Sequence, residues 1–538
     1  MSTEDLAPDA QSFDAVVVGM GFGGMYMLHR ARVAGLRVRG YEAGDDVGGT
    51  WYWNRYPGAR CDVESLEYSY SFSEELQQEW EWTERYPGQA EILSYARYVA
   101  ERFDLRRDIQ FETRVTAARF DEVAGRWDVR TDRGDEVSAQ FLIMATGCLS
   151  STNVPDIEGL DRFEGAVYHT GRWPKEGVDF RGQRVGVVGT GSSGIQAIPV
   201  IAEEAEELYV FQRTPQFSIP ARNAPLDAAE QAAVKADYQG FRARNRQTPG
   251  AIGSRLGWNT ASVLECDPEE REREFESRWN IGGFTFVGAF GDTSTNPDAN
   301  KFAADFVRDK IREKVHDPKV AEMLMPKTHI GCKRICLDTN YFETFNRPNV
   351  HLVDISEAPM ERATPRGLCT NGREYELDCI VFATGYDAMT GSLLRIDIRG
   401  RGGQSLGDVW SAGPVTYLGL GIPGFPNLFV IAGPGSPSVL ANMIVCVEQH
   451  VDWITECVEY LRDHGYRSIE ATPEAADQWV AYVNQVAGGT LYPTCNSWYL
   501  GANVPGKPRV FMPLPGFPAY VAKCDEVAAK GYEGFVLA

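Results

Sequence analysis

The chain has 538 residues, 43% of them hydrophobic and 24% charged, a balance that excludes disorder as its main state and predicts a large buried core. At about 150 residues per domain, this length predicts three or four folding units. Lys and Arg number 53 against 75 Asp and Glu, a formal charge of −22, so neither nucleic acid nor an anionic membrane is expected as a partner.

The opening stretch, Met1 to Asp9, is acidic and lacks the basic and apolar regions of an export signal. No apolar run reaches the roughly 20 residues of a membrane span, and a cytoplasmic protein is expected. The eleven cysteines are scattered singly, without CxxC pairs. They are expected to be mostly reduced core thiols, with neither a disulfide framework nor a metal site.

After a polar arm of about twelve residues, Phe13 to Val18 reads as a buried strand that runs into Gly19-Met20-Gly21-Phe22-Gly23-Gly24. An amphipathic segment, Met25 to Val33, follows, then Gly35 and a second strand, Leu36 to Tyr41, which ends at Glu42. Strand, glycine turn, helix and acid-tipped strand form a dinucleotide-binding unit. Its glycines admit a pyrophosphate to a helix N-terminus, and the acid accepts from ribose hydroxyls. Met20 stands where a smaller residue is usual.

A second unit begins at Arg184, with the strand Val185 to Val188, the turn Gly189-Thr190-Gly191-Ser192-Ser193-Gly194, a helical stretch and the strand Glu207 to Phe211. Here no acid follows, but Gln212-Arg213-Thr214. A guanidinium grips a 2′-phosphate that a carboxylate would repel, so this site is expected to take NADPH, with FAD held at the first. Phe141 to Gly147 and Ile380 to Gly385 each read as a buried strand ending in Ala-Thr-Gly, where the chain is expected to cross between nucleotide domains.

The expected fold class is therefore α/β, with two Rossmann-like domains. The FAD domain, 1–148 and 386–538, is split by an NADP domain, 149–222 and 328–385, which carries a helical insertion at 223–327. The insertion holds charged helical runs at Asp227 to Arg246, Pro268 to Trp279 and Ala299 to Val315. Later, apolar residues at 444, 447, 451, 454, 458 and 461 predict a helix that stops at Gly465.

Between the glycine turns, Phe163-Glu-Gly165-Ala-Val-Tyr-His169-Thr-Gly-Arg-Trp173-Pro174 resembles the FxGxxxHxxxW[P/D] fingerprint of type I Baeyer-Villiger monooxygenases. The stretches Gly48 to Asp62 and Trp498 to Val510 are similar to further signatures of that family. Gly433 to Asn442 and Gly531 to Val536 resemble its phenylacetone and steroid branches; the cyclohexanone branch is also similar.

The resemblance implies an enzyme that reduces FAD with NADPH and adds O2 to form a flavin C4a-peroxide. This attacks a ketone to give a tetrahedral (Criegee) adduct, and an alkyl shift yields an ester or lactone. Cyclic, aryl-alkyl or steroid-like ketones are implied. Water must be excluded, or the oxygen escapes as hydrogen peroxide. The implied catalytic residue is Arg334, with Asp62 orienting it, because arginine offers a permanent charge without giving up a proton.

For FAD the resemblance implies Gly19, Gly21, Gly24, Glu42, Thr50, Trp51, Asp62 and Tyr68, with Tyr52 and Trp53 packing beside them. For NADPH it implies Gly189, Gly191, Ser192, Gly194, Arg213, Thr214, Lys333, Arg334 and Trp498, the last on a mobile loop. His169, expected in a linker between domains, and Trp173 receive a conformational role. Val63, Cys148 and the stretch Ser436 to Ala441, with Pro437, Ser438, Val439 and Leu440, are implied for the ketone pocket. Near the C-terminus the family's Gly-Gly turn is replaced by Phe511 to Pro518, with one glycine and three prolines, so pocket size does not carry over.

The expected partners are O2 and a small ketone, and the expected state is a monomer or weak homo-oligomer. Arg213, Lys333 and Arg334 are expected to cluster in the cleft against the acidic background. The nearest rival is an N- or S-oxygenating flavin monooxygenase, which Trp173-Pro174 disfavours. A disulfide reductase would need a close redox cysteine pair beside the first nucleotide unit; Cys332 and Cys336 lie elsewhere. An NADP sensor would need neither Arg334 nor Asp62.

Overall fold

Continuous apolar runs such as Ala15-Val16-Val17, all with no exposed surface, fit strands covered on both faces, and they build the centres of two parallel sheets. The computed structural model describes residues 11–538. The acidic stretch 1–10 lies outside the described residues, and the first strand, Gln11–Val18, starts two residues before Phe13.

In the first sheet Gln11–Val18 pairs in parallel with Val38–Tyr41 on one side and Glu136–Met144 on the other. The order runs Asp397–Arg399, Val115–Asp121, Arg126–Thr131, Glu136–Met144, Gln11–Val18, Val38–Tyr41, Ile109–Gln110. Leu428–Val430 adds a further parallel pairing to Glu136–Met144. Arg126–Thr131 pairs antiparallel with both neighbours and alternates buried and open positions, as a strand with one wet face does.

The second sheet is wholly parallel, in the order Val350–Asp354, Glu207–Gln212, Arg184–Val188, Cys379–Phe382, Ala166–His169. The first sheet thus draws strands from both ends of the chain, and the second lies between them in sequence. Each sheet presents a glycine turn at the carboxyl end of its inner strand, the usual ligand edge of such folds.

Between Glu207–Gln212 and Val350–Asp354 the chain forms helices at Ala228–Ala236, Tyr238–Arg246, Pro268–Ile281, Pro297–Lys314 and Pro318–Leu324. Each is capped by the residue before it, Asp227, Asp237, Asp267, Asn296 and Asp317, whose side chains accept backbone N–H groups. The run expected over Asp227 to Arg246 is two helices rather than one. Asp237, with φ −139 and ψ 53, closes the first and caps the second. The predicted late helix spans Met443–His464 and ends at Gly465 in the left-handed conformation, φ 77.

Two expectations are corrected. His169 does not lie in a linker: it closes the edge strand Ala166–His169, pairing with Phe382. That strand is only four residues long and lacks clean alternation, so no period marks it. Cys332 and Cys495 are joined in a disulfide, while the other nine cysteines are free, all but Cys266 buried. Among the described residues no helix is long and apolar enough to cross a membrane.

Candidate active site

Gly19 takes φ +96, a conformation open to glycine without strain. The helix Phe22–Val33 begins at Gly21 with no side chain capping it, so its first-turn N–H groups are available to a pyrophosphate. A Cβ on Gly24 would sit 1.8 Å from the Gly19 carbonyl oxygen. Glu42 is buried and accepts the Met20 and Gly44 N–H groups, one on each carboxylate oxygen at 2.8 Å. Burial raises its carboxyl above the ordinary value, and those N–H groups oppose the rise. Each oxygen retains a lone pair for a ribose hydroxyl. Met20 is fully buried, and Gly40 makes room for it, since a Cβ there would meet Met20 Cε at 2.9 Å.

Gly48 N–H bonds to Met20 C=O at 3.0 Å and brings the aromatic signature to this turn. Thr50, exposed, opens the short helix Thr50–Trp53. Trp51 Nε1 donates to the Tyr68 hydroxyl at 3.0 Å, with the rings edge to face. Tyr52 packs edge-on against Trp53. This open glycine turn with an anchored acid fits the adenine dinucleotide half of FAD.

At the second turn Gly189 takes φ +107 and Gly191 starts the helix Ser192–Glu204, again without a side-chain cap. Ser192 Oγ lies 3.3 Å from Cys336 Sγ, and Gly194 packs on Gly189. Arg213 is exposed beyond the strand, and the Thr214 carbonyl accepts the Thr190 hydroxyl. Burial lowers the Lys333 ammonium, and the nearby Arg213 lowers it further. Among the described residues neither cation forms an ion pair, and adjacent cations without a counter-charge fit a phosphate.

Arg334 lies one residue on. Its Nε donates to Asp62 Oδ2 at 2.6 Å and Nη2 to Asp62 Oδ1 at 2.8 Å, a bidentate pair. Nη1 donates to the Val439 carbonyl at 2.6 Å. Three of the five guanidinium N–H donors are thereby used, and the other two make no hydrogen bond of ordinary geometry among the described residues. Burial works against the charge, but the Asp62 carboxylate outweighs it, so Arg334 is held above its ordinary range. The Phe284 ring faces the guanidinium, 5.4 Å from Cζ. Tyr499 is buried beside it; burial raises the phenol and Arg334 opposes that.

The loop that accepts from Arg334 is the expected pocket loop. Pro437 leads into the turn Ser438–Leu440, with Ser438 in the left-handed region at φ 42. Ser438 Oγ donates to the Ala432 carbonyl at 3.1 Å. Val63, Cys148 and Val439 belong to one buried apolar cluster, with Leu440 against it. Burial raises the Cys148 thiol, and Ser438 opposes the rise. The departing segment Phe511 to Pro518 backs this loop: Gly435 N–H bonds to Met512 C=O and Leu514 N–H to Ser436 C=O.

His169 Nδ1 accepts the Gly171 N–H at 2.9 Å, which puts the proton on Nε2. Burial pushes its pKa down to about 4, so the ring is neutral near pH 7, and Nε2 is buried without a partner among the described residues. The ring lies edge-on to Tyr386, whose hydroxyl bonds to Asn54 beside the aromatic signature. Trp173 is buried between Tyr168 and Phe180. Trp498 is partly exposed and packs on Tyr499, centroids 4.4 Å apart.

Sequence reasoning missed Phe284, Tyr499 and Glu67. Glu67 is buried; its Oε2 accepts the Gly253 N–H, and its backbone carbonyl accepts Asn442 Nδ2, so it ties the insertion to the pocket loop. Burial, then the neighbouring Glu64, pushes its carboxyl from 4.5 up to about 8. Between these values the unfolded chain has lost a proton that the folded protein keeps, so stability falls as pH rises through this window. The slope from this one group approaches about 1.4 kcal/mol per pH unit. In Glu67→Gln, thermal melts from pH 5 to 8 should lose that component; an unchanged slope would remove Glu67 as its source.

Residues 14–222 match the family model for flavin-binding monooxygenase-like proteins. The chain is 43% identical to a Baeyer-Villiger monooxygenase of Pseudooceanicola batsensis, covering 100% of this chain and 98% of that protein. It is 42% identical to a phenazine N-monooxygenase of Lysobacter antibioticus, covering 98% of each. Among solved structures, that of oxidised steroid monooxygenase bound to NADP matches with a TM-score of 0.93 at 55% identity, over 98% of this chain and 99% of that one. With the fingerprint around His169, two nucleotide turns and relatives matched along their full length, the chain belongs to the type I Baeyer-Villiger monooxygenases.

Proposed function

We propose that the chain uses NADPH and O2 to convert a cyclic, aryl-alkyl or steroid-like ketone to an ester or lactone, with Arg334 as its catalytic residue. The observation that carries this reading is the guanidinium clamped by Asp62 and bonded to Val439 in the pocket loop, with three of its five N–H donors so engaged. When bound, FAD supplies the activation of O2 with electrons from NADPH.

The protein's own groups do the rest. Gly19, Gly21, Gly24 and Glu42 hold the flavin's adenine half; Gly189, Gly191, Ser192, Gly194, Arg213, Thr214 and Lys333 hold NADPH. Asp62 fixes the plane of Arg334, whose guanidinium stabilises the negative charge that develops on the ketone oxygen. Val63, Cys148 and residues 437–440 form the apolar wall that excludes water. His169, neutral and bonded to Gly171, relays nicotinamide position through Tyr386 to Asn54, and Trp173 steadies that strand end. Trp498 covers the nicotinamide. In this reading the FAD domain is 1–148 and 386–538, around an NADP domain at 149–222 and 328–385 and a helical insertion at 223–327. The enzyme works in the cytoplasm as a monomer or weak homo-oligomer.

A panel of cyclic, aryl-alkyl and steroid ketones, with aromatic N-heterocycles beside them, tests the substrate class by gas chromatography. Esters or lactones are expected. N-oxides as the sole products would favour the second reading, prompted by the phenazine N-monooxygenase relative. Arg213→Ala should lower kcat/KM for NADPH about 10–100-fold, the loss of one or two charge-assisted hydrogen bonds, and leave NADH use unchanged. An unaltered NADPH/NADH ratio would refute that role.

A further inference from the structure

Cys332 and Cys495 are 163 residues apart in sequence and bonded to each other, with Cα atoms 6.1 Å apart. Cys332 is fully buried and directly precedes Lys333 and Arg334. Cys495 is partly exposed and stands three residues before Trp498. The bond therefore joins the backbone of the two cleft cations to the segment that carries Trp498 and Tyr499.

That segment is held by the packing of Tyr492, Trp498, the buried Tyr499 and Leu500 against the core, with little regular backbone structure. Between Leu491 and Phe511 there are two single turns, Tyr492–Thr494 and Trp498–Leu500, and no strand. Its long-range hydrogen bonds lie on either side of the disulfide. Leu491 N–H bonds to Ser294 C=O, and Thr494 Oγ1 to His329 Nδ1. Beyond it come Tyr499 C=O to Met512 N–H, Asn503 to Asn153 and Tyr386, and Lys507 to Asp387. Among the described residues, 495 to 498 make no long-range hydrogen bond, and Ser497 Oγ is buried without a partner. Across this stretch the disulfide is the covalent tie, beside the packing of Trp498 on the buried Tyr499.

We propose that Cys332–Cys495 is a reversible thiol–disulfide site, closed by hydrogen peroxide and opened by a dithiol reductant, that sets how firmly the Trp498 segment is held against the Arg334 cleft. The source of the peroxide rests on the oxygenase reading: oxygen that fails to reach substrate leaves as hydrogen peroxide. In closing, one thiolate attacks the peroxide to give a sulfenic acid and water, and the second thiol displaces a second water as the S–S bond forms. Two thiols are oxidised and one peroxide is reduced. In opening, a reductant thiolate attacks the sulfur of Cys495, the partly exposed partner, and releases Cys332 as a thiolate, which takes up a proton. The reductant's second thiol then displaces Cys495, and the reductant leaves as a disulfide. A leaking enzyme thereby tightens the segment that shields its cleft, whereas a reducing compartment loosens it.

The test uses the FAD-loaded enzyme, treated with hydrogen peroxide or dithiothreitol, freed of reagent, alkylated, digested and read by mass spectrometry. A Cys332–Cys495 cross-linked peptide is expected after peroxide, and two alkylated thiols after dithiothreitol. In the reduced enzyme, chymotrypsin should cut after Trp498 or Tyr499 sooner, and peroxide released per NADPH oxidised should rise about threefold or more, as expected for a loosened local segment. Cys495→Ser should behave as the reduced form and respond to neither reagent. A cross-link that fails to form overturns the proposal, as do equal cleavage and equal peroxide release in the two forms. If the cross-link opens and closes and cleavage changes, but no ketone is oxygenated, the thiol site stands and the oxygenase reading falls.

Discussion

Arg334→Ala is expected to leave reduction of FAD by NADPH intact while ester formation falls by about 10³-fold or more. Removing a single preorganised donor from a site of developing negative charge costs about 10²–10³ in rate, and this substitution removes the whole guanidinium with its permanent charge. The clamp explains why the guanidinium is set in place beforehand: both Asp62 oxygens hold one edge of it and the Val439 carbonyl holds a further N–H. Arg334→Lys should rescue little, because an ammonium cannot satisfy Asp62 bidentately and still reach the Val439 carbonyl. Stopped-flow absorbance of the flavin follows the reductive step, and product analysis follows the oxidative one. Wild-type ester yields in Arg334→Ala would remove the residue from catalysis.

Gly24→Ala is expected to give a colourless protein. The added Cβ would lie 1.8 Å from the Gly19 carbonyl oxygen, a backbone atom that cannot swing aside, so the turn or the helix Phe22–Val33 must shift. Because the first-turn N–H groups form the pyrophosphate seat, FAD affinity should fall by about 100-fold or more, alongside a lower melting temperature from the strained backbone. Gly191→Ala is the contrast. A Cβ there meets nothing within 4 Å, and its φ of −83 suits alanine. That variant should fold, stay yellow and lose NADPH affinity alone. Stoichiometric FAD in purified Gly24→Ala would contradict this account of the turn.

These two sites differ in how far the sequence revealed them. The glycine turns are local: Val16-Val17-Val18 before Gly19, and Glu42 at the end of the next strand, lie within one strand–helix–strand unit whose periodicity is readable. Arg334 and Asp62 stand 272 positions apart, and no spacing rule joins them; a resemblance to a family brought them together. The long helix Met443–His464 was legible because its apolar stripe is long and its stop is a glycine. His169 was misread because a four-residue edge strand carries no period, and its partner Phe382 is contributed from more than 200 residues later. Asp237 was missed as a break because a residue that caps one helix can also close the preceding one. The Cys332–Cys495 bond was invisible for the same reason as the Arg334 clamp: it is a product of tertiary approach. Phe511 to Pro518 was read as a departure of unknown shape, and its backbone bonds to Gly435 and Ser436 give it the role of backing the pocket loop.

The measurement that bears most directly on the central claim is oxygenation under ¹⁸O2 with NADPH and the best ketone of the panel. One ¹⁸O atom is expected in the ester or lactone, at the ring or chain oxygen, with the carbonyl oxygen carried over from the ketone. Ketone turnover across the panel with no label in any product would contradict it.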